Sequence, residues 1–214
     1  MEERKNMDKK GNLIVLSGFS GVGKGTVSKK RVQKYGYALS VSATTRSPRE
    51  GEVHGREYYF LDREEFLASI EKNGFIEYAM YVNNYYGTPR SYVEEKLSQN
   101  QSVILEIEVQ GALSIKEQYP DAILIFITAP SVAELKDRLT NRGTEAEDVI
   151  RARMQTAVKE SGYIDQYEYI VCNENGKVEE CVDQIHHIVE IRNMLVSNQK
   201  DFIRTLKEEL TDYR

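Results

Sequence analysis

The chain has 214 residues, 40% of them hydrophobic and 29% charged, with a net charge of −5. That suits one domain with small inserted lobes and excludes a polyanion binder acting through the whole chain. The arginines come at intervals without a dense run, no apolar run reaches membrane-spanning length, and Cys172 and Cys181 have neither disulfide-framework nor metal-ligand spacing. A cytoplasmic protein with reduced thiols, no nucleic-acid partner and no membrane partner is therefore expected.

Residues 1–10, "MEERKNMDKK", are charged and read as a flexible preface with no secretion signal. "NLIVLS" (Asn12–Ser17) is an apolar run closed by Gly18 and reads as a buried strand. From Gly25 to Lys34 the pattern turns helical, with Val27 and Val32 on the inner side. Residues 39–90 change character: short tyrosine-rich runs, "EYYFL" and "FIEYAMYV", flank a helix, "REEFLASIEKN", whose capping box is Asp62 and Glu65. This stretch is expected to be an inserted lobe with a mixed sheet. Three more apolar runs predict core strands: Ser102–Glu108, Ala122–Ala129 and Tyr167–Asn173. "PSVAELKDRL" carries a second capping pair, Ser131 and Glu134, and "VEECVDQIHHIVEIRNML" is amphipathic. "NRGTEAEDVIRARMQ" is polar and arginine-bearing after a glycine, so residues 141–157 suit a helical lid. Residues 195–214 form a charged helical extension, and the amphipathic segment near the C-terminus suits a packing helix or a dimer contact, with packing on the body expected. Strands alternating with helices predict an α/β fold: a parallel sheet with helices on both faces, built from residues 11–38 and 91–194. Oligomeric state is not legible.

"GFSGVGKGT" (Gly18–Thr26) sits between the first strand and the first helix, the context in which G-x-x-x-x-G-K-[ST] signals a P-loop. Glycines let backbone N–H groups face a phosphate, the helix start adds positive potential, and Lys24 reaches the β and γ phosphates. The phosphate set is Gly18, Ser20, Gly21, Val22, Gly23, Lys24, Gly25 and Thr26. The motif departs from the rule at Gly25, where a metal-binding hydroxyl is normal. Thr26 is then expected to donate to the α-phosphate, and Mg²⁺ to be held mainly by phosphates and water, with Glu106 or Glu108 anchoring those waters beyond a strand end. This favours a phosphate-to-phosphate kinase over a GTPase switch. "SVSATTRSPREGEVHGREYYF" (Ser40–Phe60) supplies Arg46 and Arg49, whose forked guanidiniums suit a second phosphate, and Tyr58 and Tyr86 offer hydroxyls.

These stretches, with "FIEYAMYVNNYYGTP", "ILEIEVQGA", "PSVAELKDRLTNRGTE" and "NEN", run in order across about four-fifths of the chain, which resembles the guanylate kinases. The resemblance implies a P-loop core, a lid and a GMP-binding lobe, and an enzyme that moves the γ-phosphate of ATP to GMP, with dGMP a secondary substrate, in purine metabolism. By matching position, Arg46, Arg49, Tyr58 and Tyr86 would hold the GMP phosphate, and Ser42, Glu77, Thr88 and Glu108 would read guanine. Glu52 belongs to the same GMP-binding set. Arg138, Arg142 and Arg153 would come from the lid region to neutralise the phosphates with Lys24, and Asn173 would touch adenine. Chemistry agrees at Glu77, because one carboxylate can accept guanine's adjacent N1–H and N2 amino donors. Two departures stand out. Phe19 replaces a common proline, and its ring either packs on the lobe or narrows the cradle; Glu106 and Glu108 stand where some members have aspartate. Two other readings are a catalytically silent, peptide-binding module of this fold and a kinase preferring another monophosphate.

Overall fold

The structure, a computed structural model, describes residues 11–81, 83–140 and 147–213. The main sheet has five strands in the order β2-β7-β1-β8-β9: β1 Leu13–Gly18, β2 Ala38–Leu39, β7 Val103–Glu106, β8 Ile123–Thr128 and β9 Tyr169–Cys172. Every pairing in it is parallel. Such strands are covered on both faces, which is why β1 and β8 are nearly continuous runs of Leu, Ile, Val and Phe. Leu39, expected to open the inserted lobe, still pairs with Ile104 in this sheet.

One face of the sheet meets α1 (Lys24–Tyr35) and α7 (Val178–Asn193), with Ile14, Leu16 and Ile125 packed against Val27, Val182, Ile185 and Val189. On the other face Val15, Leu105 and Leu124 meet α3 (Arg90–Ser98) and α4 (Val109–Gln118) through Val93, Ala112 and Ile115. The α1–α7 contact buries a whole arginine. Arg31 donates to the Val182 carbonyl at 3.3 Å and lies over the Tyr37 ring at 4.1 Å, and burial brings its pKa down to about 10. The predicted amphipathic segment packs as α7, whereas α8 (Lys200–Glu209), in the charged extension, has no buried residue.

The lobe is a four-stranded sheet in the order β4-β3-β6-β5: β3 Ala43–Thr44, β4 Tyr59–Phe60, β5 Phe75–Tyr81 and β6 Asn84–Pro89. It is mixed, since β3 runs parallel to β4 while β6 is antiparallel to β3 and β5. Asn83, at φ 62°, turns the β5–β6 hairpin. Helix α2 (Arg63–Glu71) starts with the expected capping box, in which Glu65 N–H donates to Asp62 and the Asp62 N–H to Glu65. It covers one face through Phe66, which stacks on Phe75 at 4.4 Å. The opposite face of this sheet carries the acceptor residues.

The expected strand Ser102–Glu108 stops at Glu106. Ile107 accepts from the Ser17 hydroxyl at 2.9 Å, and Glu108 is already the extended N-cap residue of α4. Helix α5 (Val132–Thr140) begins where Glu134 N–H donates to Ser131 Oγ, but the Glu134 carboxylate turns to Arg138. Helix α6 (Glu147–Ser161) follows. The first six residues of the expected lid, Arg142 among them, lie outside the described residues, as does the N-terminal preface.

Candidate active site

Strand β1 ends at Gly18, which pairs with Ile127 of β8 so closely that a Cβ would lie 2.1 Å from the Ile127 carbonyl oxygen. Gly23 sits at φ 91° as the N-cap of α1, and a Cβ there would lie 2.9 Å from the Asn173 amide nitrogen. These two positions need glycine, one for space and both for backbone angle. Between them Val22 N–H donates to Phe19 O at 3.3 Å, and α1 opens with Val27 N–H on Gly23 O at 3.1 Å. Lys24 Nζ donates to the carbonyls of Gly18 at 2.6 Å and Phe19 at 3.3 Å, so the loop holds its own lysine at the mouth. The Phe19 ring meets Phe126 edge-on at 5.0 Å within the main core. It therefore packs beneath the loop, neither on the lobe nor across the cradle.

The loop is braced from behind. Asn173 Nδ2 donates to Val22 O at 2.7 Å, Arg138 Nη1 donates to the same oxygen at 3.4 Å, and Arg138 Nη2 donates to Asn173 O at 2.7 Å. Asn173 is 7% exposed, and its Nδ2 braces the loop. Arg138 stands on α5, ion-paired with Glu134, outside the lid. Arg153, on α6, does reach the loop, with Nη1 3.2 Å from Ser20 Oγ. Thr26 is exposed on the first turn of α1. At Gly25 a Cβ would stand 3.6 Å from both oxygens of Glu106, so the carboxylate at the end of β7 faces the place where the usual hydroxyl is missing. Burial pushes the Glu106 pKa up, against the pull of Lys24.

The acceptor residues share a face because strand side chains alternate. Gly87 points to α2, where a Cβ would lie 3.0 Å from the Phe66 ring, so Tyr86 and Thr88 point the other way. Glu77 pairs with Thr88 across the strands, and Ala43 with Gly87, which sets Ser42 level with Thr88. Thr88 Oγ1 donates to Glu77 Oε1 at 2.6 Å. Glu77 is 8% exposed, and burial raises its pKa. Beside it Tyr58 and Tyr86 meet at 5.9 Å, with the Arg46 guanidinium 5.4 Å from the Tyr58 ring. Glu52 takes two bonds from Arg46 Nη2, at 3.0 and 2.9 Å, and one from Arg49 N–H at 2.7 Å. Its placement is thus as the clasp of the arginine loop, and the Arg49 N–H is the first cause of its lowered pKa. Arg49 itself is exposed.

Helix α4 closes against this face. A Cβ on Gly111 would lie 2.9 Å from Glu77 Oε2, so the carboxylate occupies the space a side chain would take. Gly111→Ala gives a direct check. Alanine favours the helix interior by about 1 kcal/mol over glycine, so thermal stability should hold or rise. The methyl group nevertheless displaces Glu77, so the KM for GMP should increase roughly tenfold, equivalent to about 1.4 kcal/mol, with the KM for ATP unchanged.

Sequence reasoning missed Glu160. It lies on the last turn of α6, 8% exposed, and one of its oxygens is buried with no partner among the described residues. Burial first, then the neighbouring Glu108 carboxyl it contacts, pushes its pKa up to about 7. Met154, Ala157 and Glu160 recur every third residue on the packed side of α6, the one signal that could have exposed it. The fold favours the neutral acid, whereas an unfolded chain titrates near 4.5. The stabilisation is complete below the lower value and is lost as pH rises through the upper one. Glu160→Gln, which stays neutral and can still donate to Glu108, should melt about 5 °C higher than the parent at pH 8.5 and alike at pH 4.5. Melting curves at the two pH values check this.

Two separated parts result: an amide-lined, lysine-bearing nest, and a sheet face with arginine, tyrosine and a buried acid. Among the described residues no group of three or more His, Cys, Asp or Glu could hold a metal, and no helix is long and apolar enough to cross a membrane. The family model described as "Guanylate kinase" matches residues 10–192. The chain is 48% identical over 199 residues to a guanylate kinase of Clostridium tetani, covering 93% of this chain and 95% of that one. It is 52% identical to one of Halalkalibacterium halodurans, covering 84% and 88%. It also superposes on a crystal structure of guanylate kinase from Anaplasma phagocytophilum with a TM-score of 0.71 at 32% identity, covering 89% and 90%.

Proposed function

Because the chain belongs to the guanylate kinase family, we propose that its two parts hold ATP and GMP head to head and pass the γ-phosphoryl group to a GMP phosphate oxygen. The P-loop amides and the N-terminus of α1 would cradle the ATP phosphates, with Lys24 moving from the loop carbonyls onto the β and γ phosphates. Arg153, already at Ser20, would add its charge there, joined by Arg142. Arg46 and Arg49, held by Glu52, would take the GMP phosphate with Tyr58 and Tyr86. Ser42 would serve O6, Thr88 would hold the Glu77 carboxylate in place, and Glu77 and Glu108 would take the guanine N–H groups. The acceptor phosphate is ionised near neutral pH, so the attack needs no general base; alignment and charge neutralisation carry the rate.

Mg²⁺ fits this site through water: Gly25 offers no oxygen, and Glu106 faces that position. When bound with ATP it would neutralise phosphate charge. The substrates and free thiols favour the cytoplasm.

One observation carries the reading. A buried carboxylate held by a threonine hydroxyl shares a sheet face with two tyrosines and an arginine beside them, which suits a guanine and its phosphate together. An ADP-release assay with ATP and competing GMP, dGMP and AMP tests it. GMP should be preferred, with dGMP secondary because none of the assigned groups addresses the 2′-hydroxyl. Turnover led by AMP would overturn the base assignment. Nucleotide binding without turnover would point to a binding module.

A further inference from the structure

Strand β5 carries one residue more than its partner strand matches. Phe75 pairs with Pro89 of β6 and Glu77 with Thr88, so Ile76 is the extra residue of a β-bulge. Residues two apart on a regular strand share a face. Here they do not: Phe75 stacks on Phe66 under α2, and Glu77 bonds Thr88 on the opposite face. The bulge is what lets one strand serve the lobe core at Phe75 and the acceptor face at Glu77. Ile76 itself, 1% exposed, packs into the body with Val93, Ala112 and Ile115.

Two side chains of the body hold the bulge. Gln118 Nε2, at the C-terminal end of α4, donates to Ile76 O at 2.8 Å. Arg90, the first residue of α3, donates from Nη2 to Phe75 O and from Nε to Asn73 O, each at 2.9 Å, and from Nη1 to Tyr119 Oη at 3.0 Å. Arg90 Nη2 also donates to Gln118 Oε1 at 3.3 Å, which ties the two holders together. Gln118 stands about two turns along α4 from Gly111, the residue that makes room for the Glu77 carboxylate. One helix therefore meets β5 twice, at the carboxylate and at the kink that aims it. We propose that Gln118 and Arg90 are positioning residues for base selection: by clamping the bulge at Ile76 they aim the Glu77 carboxylate at guanine. The clamp has this role only if Glu77 reads guanine as proposed above.

Steady-state kinetics of the full chain with GMP and with AMP tests this. Gln118 is exposed, so exchanging it leaves the core intact. Gln118→Met keeps the length of the side chain and loses the donor. It should raise the KM for GMP about fivefold, the scale of one lost hydrogen bond, with kcat and the KM for ATP held. Preference for GMP over AMP should fall by a similar factor. Gln118→Lys, which can still donate to the Ile76 carbonyl, should return the KM for GMP to within about twofold of the parent value. Arg90→Lys, which keeps the charge and gives up the fork, should move the KM in the same direction as Gln118→Met. In a Glu77→Gln background, Gln118→Met should cost nothing further, because the donor acts through Glu77. An unchanged KM for GMP in Gln118→Met, with or without a lower melting temperature, overturns the proposal and leaves the guanine reading standing. The same follows from a loss that recurs undiminished beside Glu77→Gln. A parent that takes AMP as readily as GMP overturns the assignment of Glu77 and the clamp with it.

Discussion

Lys24→Ala is expected to lower kcat by on the order of 10³, close to what the removal of one buried transition-state donor costs in other enzymes. Among the described residues no other cation bonds the carbonyls that hold Lys24. Arg138 is tied to Val22, Asn173 and Glu134, and Arg153 reaches Ser20. GMP affinity should be unchanged, since none of the groups assigned to GMP is bonded to Lys24. Melting should shift little as well, because the loop keeps its brace when Nζ leaves the Gly18 and Phe19 carbonyls. Steady-state kinetics with a GMP titration reads both quantities. Near-parent turnover in this variant would remove the P-loop from the mechanism.

Glu77→Gln is expected to cost about 10²–10³ in kcat/KM for GMP, and to erode a preference over AMP that could reach on the order of 10⁴ in the parent. The amide keeps one acceptor and puts its NH₂ against a guanine donor, which leaves buried donors facing each other. A pH signature accompanies this. Burial raises the Glu77 pKa, and the Thr88 hydroxyl and backbone N–H oppose that rise. Reading two N–H groups needs the ionised acid, so the KM for GMP should climb in the parent as pH falls through that raised value. In Glu77→Gln the climb should vanish. Identical pH profiles for parent and variant would remove the guanine assignment.

The main sheet was legible because parallel strands must be apolar on both sides, and "LIVLS" and "AILIFIT" can be little else. The P-loop was legible because its glycines answer to sterics that hold in any fold. The lobe was harder. Strand β6 contains Gly87 and Pro89, residues that argue against a strand, yet Gly87 is demanded by the Phe66 ring beneath it. Glu108 read as strand because the apolar alternation of β7 runs on past the point where the chain leaves the sheet. The brace around Val22 could not be seen at all. It joins residues more than a hundred positions apart, and a sequence shows an asparagine after a strand without showing where its amide points. Glu160 was hidden for the same reason: an acid on a polar helix looks solvated until its partners are in place.

That brace has a kinetic corollary. The Val22 carbonyl is gripped by two donors from the side away from the mouth, so the nest holds its shape before any nucleotide arrives. The Arg46–Glu52 clasp does the same for the other ligand. Neither partner has to sculpt the other's seat, which makes arrival in either sequence equally permissible. Whatever slow motion the reaction contains then belongs to bringing two finished halves together, not to making them.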